Sequence, residues 1–208
     1  MAKKATLPQK KTEIFNIIYL ATWVILPLAY FAFKDSVQDP GLYPRHMVLV
    51  ISTLLCAALL FTKKTKSLPF RLTLAVISFF VLWHFAGYSN AISKTEFWAT
   101  FGRNGLMLAY LLLTFQLLRN QLLSFSTIIK GVILFAAISA LSILPELLKV
   151  IFSGKYVEDI YNVRGLFTHK NFAASALLLS VPFLFLGTRN ENKAWRLTAL
   201  ITLSIVIL

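Results

Sequence analysis

The sequence predicts an all-α protein, a polytopic transmembrane helix bundle of about six complete spans plus a truncated seventh, each complete span needing about 20 apolar residues. Three observations predict it. Hydrophobic residues fill 58% of the 208 positions, above the ~45–50% usual in soluble domains, and the mean hydropathy is +0.73. They are gathered into runs matched to the ~30 Å hydrocarbon core of a bilayer. The basic residues between those runs are unevenly shared, as expected of loops on two sides of a membrane.

The chain opens with a basic stretch, residues 1–13, read as a cytoplasmic N-terminus. It resembles the start of a signal peptide, but the run Ile14 to Phe33 is long and lacks a small-residue cleavage pattern, which predicts a retained first span. Further spans are predicted over Met47 to Phe61, Leu72 to Tyr88, Phe97 to Leu118, Thr127 to Leu148 and Asn171 to Gly187. A seventh begins near Leu197 and counts 12 residues to Leu208, about 18 Å of helix. Residues 14–208 thus read as one transmembrane domain, incomplete at its C-terminus. Pro27, Pro145 and Pro182 fall inside or near the ends of spans, where neighbouring groups must satisfy the freed carbonyls. Cys56, the single cysteine, precludes an intrachain disulfide, and no Cys/His cluster has metal-ligand spacing.

With the N-terminus inside, 13 basic and two acidic residues fall on the cytoplasmic side, leaving +11. Eight basic and six acidic residues fall outside, leaving +2. The net charge of +13 is then an orientation signal and an attraction to anionic membrane lipid. It needs no nucleic acid to explain it.

The longest connection, Lys149 to Lys170, lies outside in this arrangement, yet it ends in "VRGLFTHKNFAASALLL" with Arg164 and Lys170 against the usual bias. Asn171 is placed as the N-cap of the following helix. The first N–H groups of Phe172, Ala173 and Ala174 then lack intrahelical acceptors. Helix dipole, Lys170 and a two-pronged Arg164 suit a phosphate or diphosphate. The plainer alternative is that Asn171 caps, Lys170 snorkels and the small residues pack helices.

The segment "VRGLFTHKNFAASALLLSVPFLF", with Arg164, Gly165, Phe167, His169, Lys170, Asn171, Ala173 and Pro182 in order, resembles the signature of the O-antigen ligase and polymerase superfamily of bacterial membrane glycosyltransferases. "SNAISKTEFWATFGRNGLM" is similar, at Ser89, Lys94 and Glu96, to the stretch before an earlier span in that family. The resemblance implies a metal- and cofactor-independent enzyme of the bacterial inner membrane. Its donor would be an undecaprenyl-diphosphate-linked glycan, its acceptor a glycan, lipid or protein on the outer face. It also implies that the family's catalytic outer loop lies in a C-terminal half. This chain is then expected to match the N-terminal half and to be inactive alone, and His169 is not given the catalytic role.

Arg103 is a further candidate for the diphosphate. If the fourth span starts at Phe97, Arg103 lies six residues in, about 9 Å. Such a guanidinium either faces a bundle interior or watery cavity, or snorkels to the interface beside Trp98. Lys94 and Glu96 are expected to pair as exposed neighbours, and His84 and Glu146 to serve packing or local hydrogen bonds. Two rivals are a lipid or glycan exporter, which calls for ionisable residues at mid-span or repeated broken helices, and a non-enzymatic subunit of cell-envelope assembly.

The charge split makes a direct prediction. In right-side-out inner-membrane vesicles, a cysteine replacing Gly154 is labelled by a membrane-impermeant thiol reagent without permeabilisation; labelling only after permeabilisation reverses the orientation.

Overall fold

The computed structural model describes residues 10–33, 43–63, 65–88, 93–153, 163, 165–167 and 170–207. Those residues form seven α-helices and no strand: α1 Lys10–Phe33, α2 Tyr43–Phe61, α3 Phe70–Ala86, α4 Lys94–Arg119, α5 Phe125–Ser153, α6 Lys170–Asn190 and α7 Lys193–Ile207. Every predicted span falls on a helix. Most helices begin a few residues before the apolar run, because hydropathy marks the lipid-facing length whereas the backbone stays helical until a cap ends it.

Four stretches are long and apolar enough to cross a membrane: Tyr43–Phe61, Lys94–Arg119, Phe125–Ser153 and Ala173–Asn190. Glu13–Ala29 and Phe70–Ala86 are shorter apolar helices. Among the described residues the secondary structure is helical, with several helices of the length and apolarity of a membrane protein's spans. The shortest described helix, α7, begins at Lys193 rather than near Leu197, because Asn192 Oδ1 accepts the Trp195 N–H at 3.3 Å and caps it.

The chain divides into two compact units. The first comprises Met1–Phe15 and Leu49–Leu123. Here α3 and α4 meet through aromatic rings, with Phe80 and Phe85 against Phe101 at 5.4 and 5.8 Å between centroids. His84 sits among them with Nδ1 2.9 Å from the Phe80 carbonyl and Nε2 3.0 Å from the Asn104 amide nitrogen, so it serves local hydrogen bonding as expected. Ser93 caps α4 by accepting the Glu96 N–H at 3.3 Å. At the helix's other end the Gln116 and Asn120 amides donate to the Lys66 carbonyl at 2.6 and 3.1 Å. The Lys66 N–H returns a bond to Asn120 Oδ1 at 2.7 Å. Cys56 is buried in α2 as a packing residue.

The second unit comprises Asn16–Val48 and Ser124–Leu208. Ile129, Ile133 and Ala136 of α5, Leu184 of α6, and Ala199 and Leu203 of α7 form its core. Gly187 permits that packing, since a Cβ there would stand 2.5 Å from Ile133 Cδ1 and 3.3 Å from Ala199 Cβ. Trp23 of α1 meets Phe135 edge-on at 5.6 Å.

A polar clip closes the α6–α7 turn. Glu191, with its side chain only 6% exposed, pairs with Lys130 at 3.3 Å and accepts from Ser126 Oγ at 2.6 Å. Arg196 donates through Nε to the Glu191 carbonyl at 2.7 Å and through Nη2 to the Arg189 carbonyl at 2.9 Å. A cation thus satisfies carbonyls at the end of α6.

Removing the cation of that clip strands a buried carboxylate, whereas neutralising the acid leaves a lysine that is 27% exposed and able to reach water. Lys130→Ala therefore lowers stability by up to about 3 kcal/mol, and Glu191→Gln by clearly less, read by thermal unfolding in detergent. Equal losses would show that the pair is not what holds the turn.

Candidate functional site

Between α5 and α6 the described residues include a tight turn, Gly165–Phe167. Gly165 has φ +56°, a region that an L side chain reaches only under strain. A Cβ at this position would also stand 2.6 Å from both Ser142 Oγ and Ile143 Cγ1. The next two residues are almost fully buried, Leu166 at 1% and Phe167 at 4% exposure. Buried backbone outside a helix must find its hydrogen bonds elsewhere.

Side chains supply them. The Gly165 N–H donates to Glu146 Oε2 at 2.9 Å and the Leu166 N–H to Ser142 Oγ at 3.2 Å. The Ser142 hydroxyl in turn donates to the Ser139 carbonyl at 2.7 Å. From the first turn of α2, Arg45 Nη2 donates to the Leu166 carbonyl. Its guanidinium lies over the Phe167 ring, 4.8 Å from the centroid. Phe167 completes the seat by meeting Phe135 edge-on at 6.4 Å.

This turn stands just before the expected anion site. Arg164 lies outside the described residues. Lys170 opens α6, and its side chain lies outside them too. Because α6 starts at Lys170, Asn171 belongs to the first helical turn rather than preceding it, and it is exposed. The N–H groups of that turn still lack acceptors within the helix. Ala173 is buried against Phe135 and Phe167. Ala174 and Ser175 border an apolar groove of about 500 Å³ shared with Ile143, Leu147 and Val206.

Arg103 belongs to the other compact unit. Since α4 starts at Lys94 rather than Phe97, it lies nine residues in, about 13 Å along the axis. It is half-buried and donates through Nη2 to Thr100 Oγ1 at 2.8 Å, back towards the start of α4. Lys94 stands over the Tyr88 ring at 5.8 Å.

Two side chains central to this geometry had drawn little notice in the sequence. Glu146 is expected to serve packing or local hydrogen bonds, and it accepts the Gly165 N–H of the turn. Arg45 entered only as outer charge. Its available signal was a cation beside Pro44, close to the start of an apolar run. No model of a known protein family matches the chain, and no curated protein or solved structure is significantly similar to it.

The strain at Gly165 yields a prediction. Gly165→Ala adds the left-handed penalty of about 1–2 kcal/mol to the overlap with Ser142 and Ile143, so it destabilises the protein by at least that amount. Thermal unfolding measures it, and an unchanged midpoint would mean that the turn is not held in this conformation.

Proposed function

We propose that this protein is an O-antigen ligase-like glycosyltransferase of the bacterial inner membrane. About six helices span the bilayer, with the N-terminus cytoplasmic and the α5–α6 connection on the outer face. The reaction moves a glycan from an undecaprenyl-diphosphate carrier to an acceptor glycan, lipid or protein. The supporting observation is the Gly165–Phe167 turn, whose last residue precedes the start of α6 by three positions, within the segment that resembles the family signature.

The assigned residues match the donor's chemistry. A diphosphate at the membrane surface meets the first N–H groups and positive dipole end of α6. Arg164 grips two oxygens at once and Lys170 adds a point charge. Asn171 lies in the same first turn. As the bond from the sugar's anomeric carbon to the phosphate oxygen breaks, negative charge grows on the departing diphosphate, which is the charge these groups stabilise. The acceptor hydroxyl forms the new bond and loses its proton; no residue is assigned as its base.

In the full protein, Arg164→Ala lowers donor use at least about tenfold, since a charge-assisted hydrogen bond contributes about 1.5–3 kcal/mol. Arg164→Lys loses less, because it keeps the charge without the fork. Glycan transfer assayed against donor concentration measures both. Wild-type turnover by the alanine variant rules out the assignment.

A further inference from the structure

We infer that Arg45 and Glu146 are positioning residues for the donor site, a role that rests on the function proposed above. They grip the Gly165–Phe167 turn from different helices. Glu146 holds its leading N–H at 2.9 Å, while Arg45 holds the Leu166 carbonyl and covers the Phe167 ring. Arg164 is bonded directly to Gly165, and Lys170 follows Phe167 by three residues. The turn is therefore the fixed point nearest to both assigned cations along the chain.

The side-chain chemistry fits anchoring. The guanidinium donates to the Leu166 carbonyl while its carbon lies 4.8 Å from the Phe167 ring centroid, a combination that suits a planar, weakly hydrated cation better than a compact ammonium. Glu146 accepts a neutral N–H, a bond strengthened by its charge. Ser142 supplies a third attachment. An anchor of this kind raises affinity for a ligand held by neighbouring groups by reducing the ordering that binding must impose.

The test uses the full protein in phosphatidylglycerol/phosphatidylethanolamine nanodiscs, with farnesyl diphosphate as probe and farnesol as control for the apolar tail. Hydrogen exchange of the 163–170 segment reports the anchor independently of any ligand. Wild type is expected to bind farnesyl diphosphate in preference to farnesol and to protect the Gly165 and Leu166 amides. Arg45→Gln is expected to speed exchange there and weaken farnesyl diphosphate binding about tenfold, with farnesol unchanged; Arg45→Lys recovers part of both. Glu146→Ala, which removes the acceptor on the other side, gives the same pattern and serves if Arg45→Gln does not insert stably. Unchanged exchange in both variants overturns the anchor. Faster exchange with unchanged diphosphate affinity overturns the positioning role. Wild type that does not distinguish farnesyl diphosphate from farnesol overturns the donor-site function itself, and this role with it.

Discussion

Three backbone hydrogen bonds that the chain cannot make within a helix govern the second unit. Burying Leu166 and Phe167 outside regular structure exposes N–H and C=O groups to an environment without water, where each unmatched group costs several kcal/mol. The matching groups must come from neighbours at set heights. Phe135, Ser139, Ser142 and Glu146 recur at helical spacing along one face of α5. That face changes from ring to hydroxyl to carboxylate as the requirement changes from packing Phe167 to accepting Leu166 and then Gly165. Pro145 is compatible with it because the proline removes a donor from α5 without removing any group that the turn uses.

The same constraint explains why an acid stands near the C-terminal end of a long apolar helix. A carboxylate there is costly unless hydrogen bonds support it, and Glu146 accepts the Gly165 N–H. A charge-assisted bond contributes about 1.5–3 kcal/mol, enough to make a structural role sufficient for this residue without proton transfer. Glu191 follows the same logic at the α6–α7 turn, where Lys130 and Ser126 surround it. In both places a connection between helices is held through a hydrogen-bonded carboxylate and an arginine that donates to its carbonyls.

The helices were legible because apolar runs in this chain stand well apart, and hydropathy registers them without knowledge of packing. Their ends were less legible. Ser93 and Asn192 lengthen α4 and α7 through hydrogen bonds to backbone N–H groups three residues on, which average hydropathy does not weigh. The earlier start of α4 also puts Arg103 nine rather than six residues along the helix. Partnership was the least legible feature, since Arg45 and Leu166 are 121 residues apart and neither lies in a pattern that names the other. What could be read at the candidate site was its local content: two cations close together in the chain and a helix beginning beside them.

Under the proposed function, anchoring and ligand binding make different demands at this site, and the residues assigned to each differ. The described turn is held by Glu146, Ser142 and Arg45, whose hydrogen bonds go to its own backbone. An anion would instead use the first N–H groups of α6, which a helix cannot satisfy internally, together with side chains at 164 and 170. Loss of an anchoring residue should therefore alter the order of the turn as well as affinity, whereas loss of charge at 164 should alter affinity while leaving the backbone bonds intact. Were the cations present only to hold the connection, this separation would collapse and both classes of substitution would loosen the same amides.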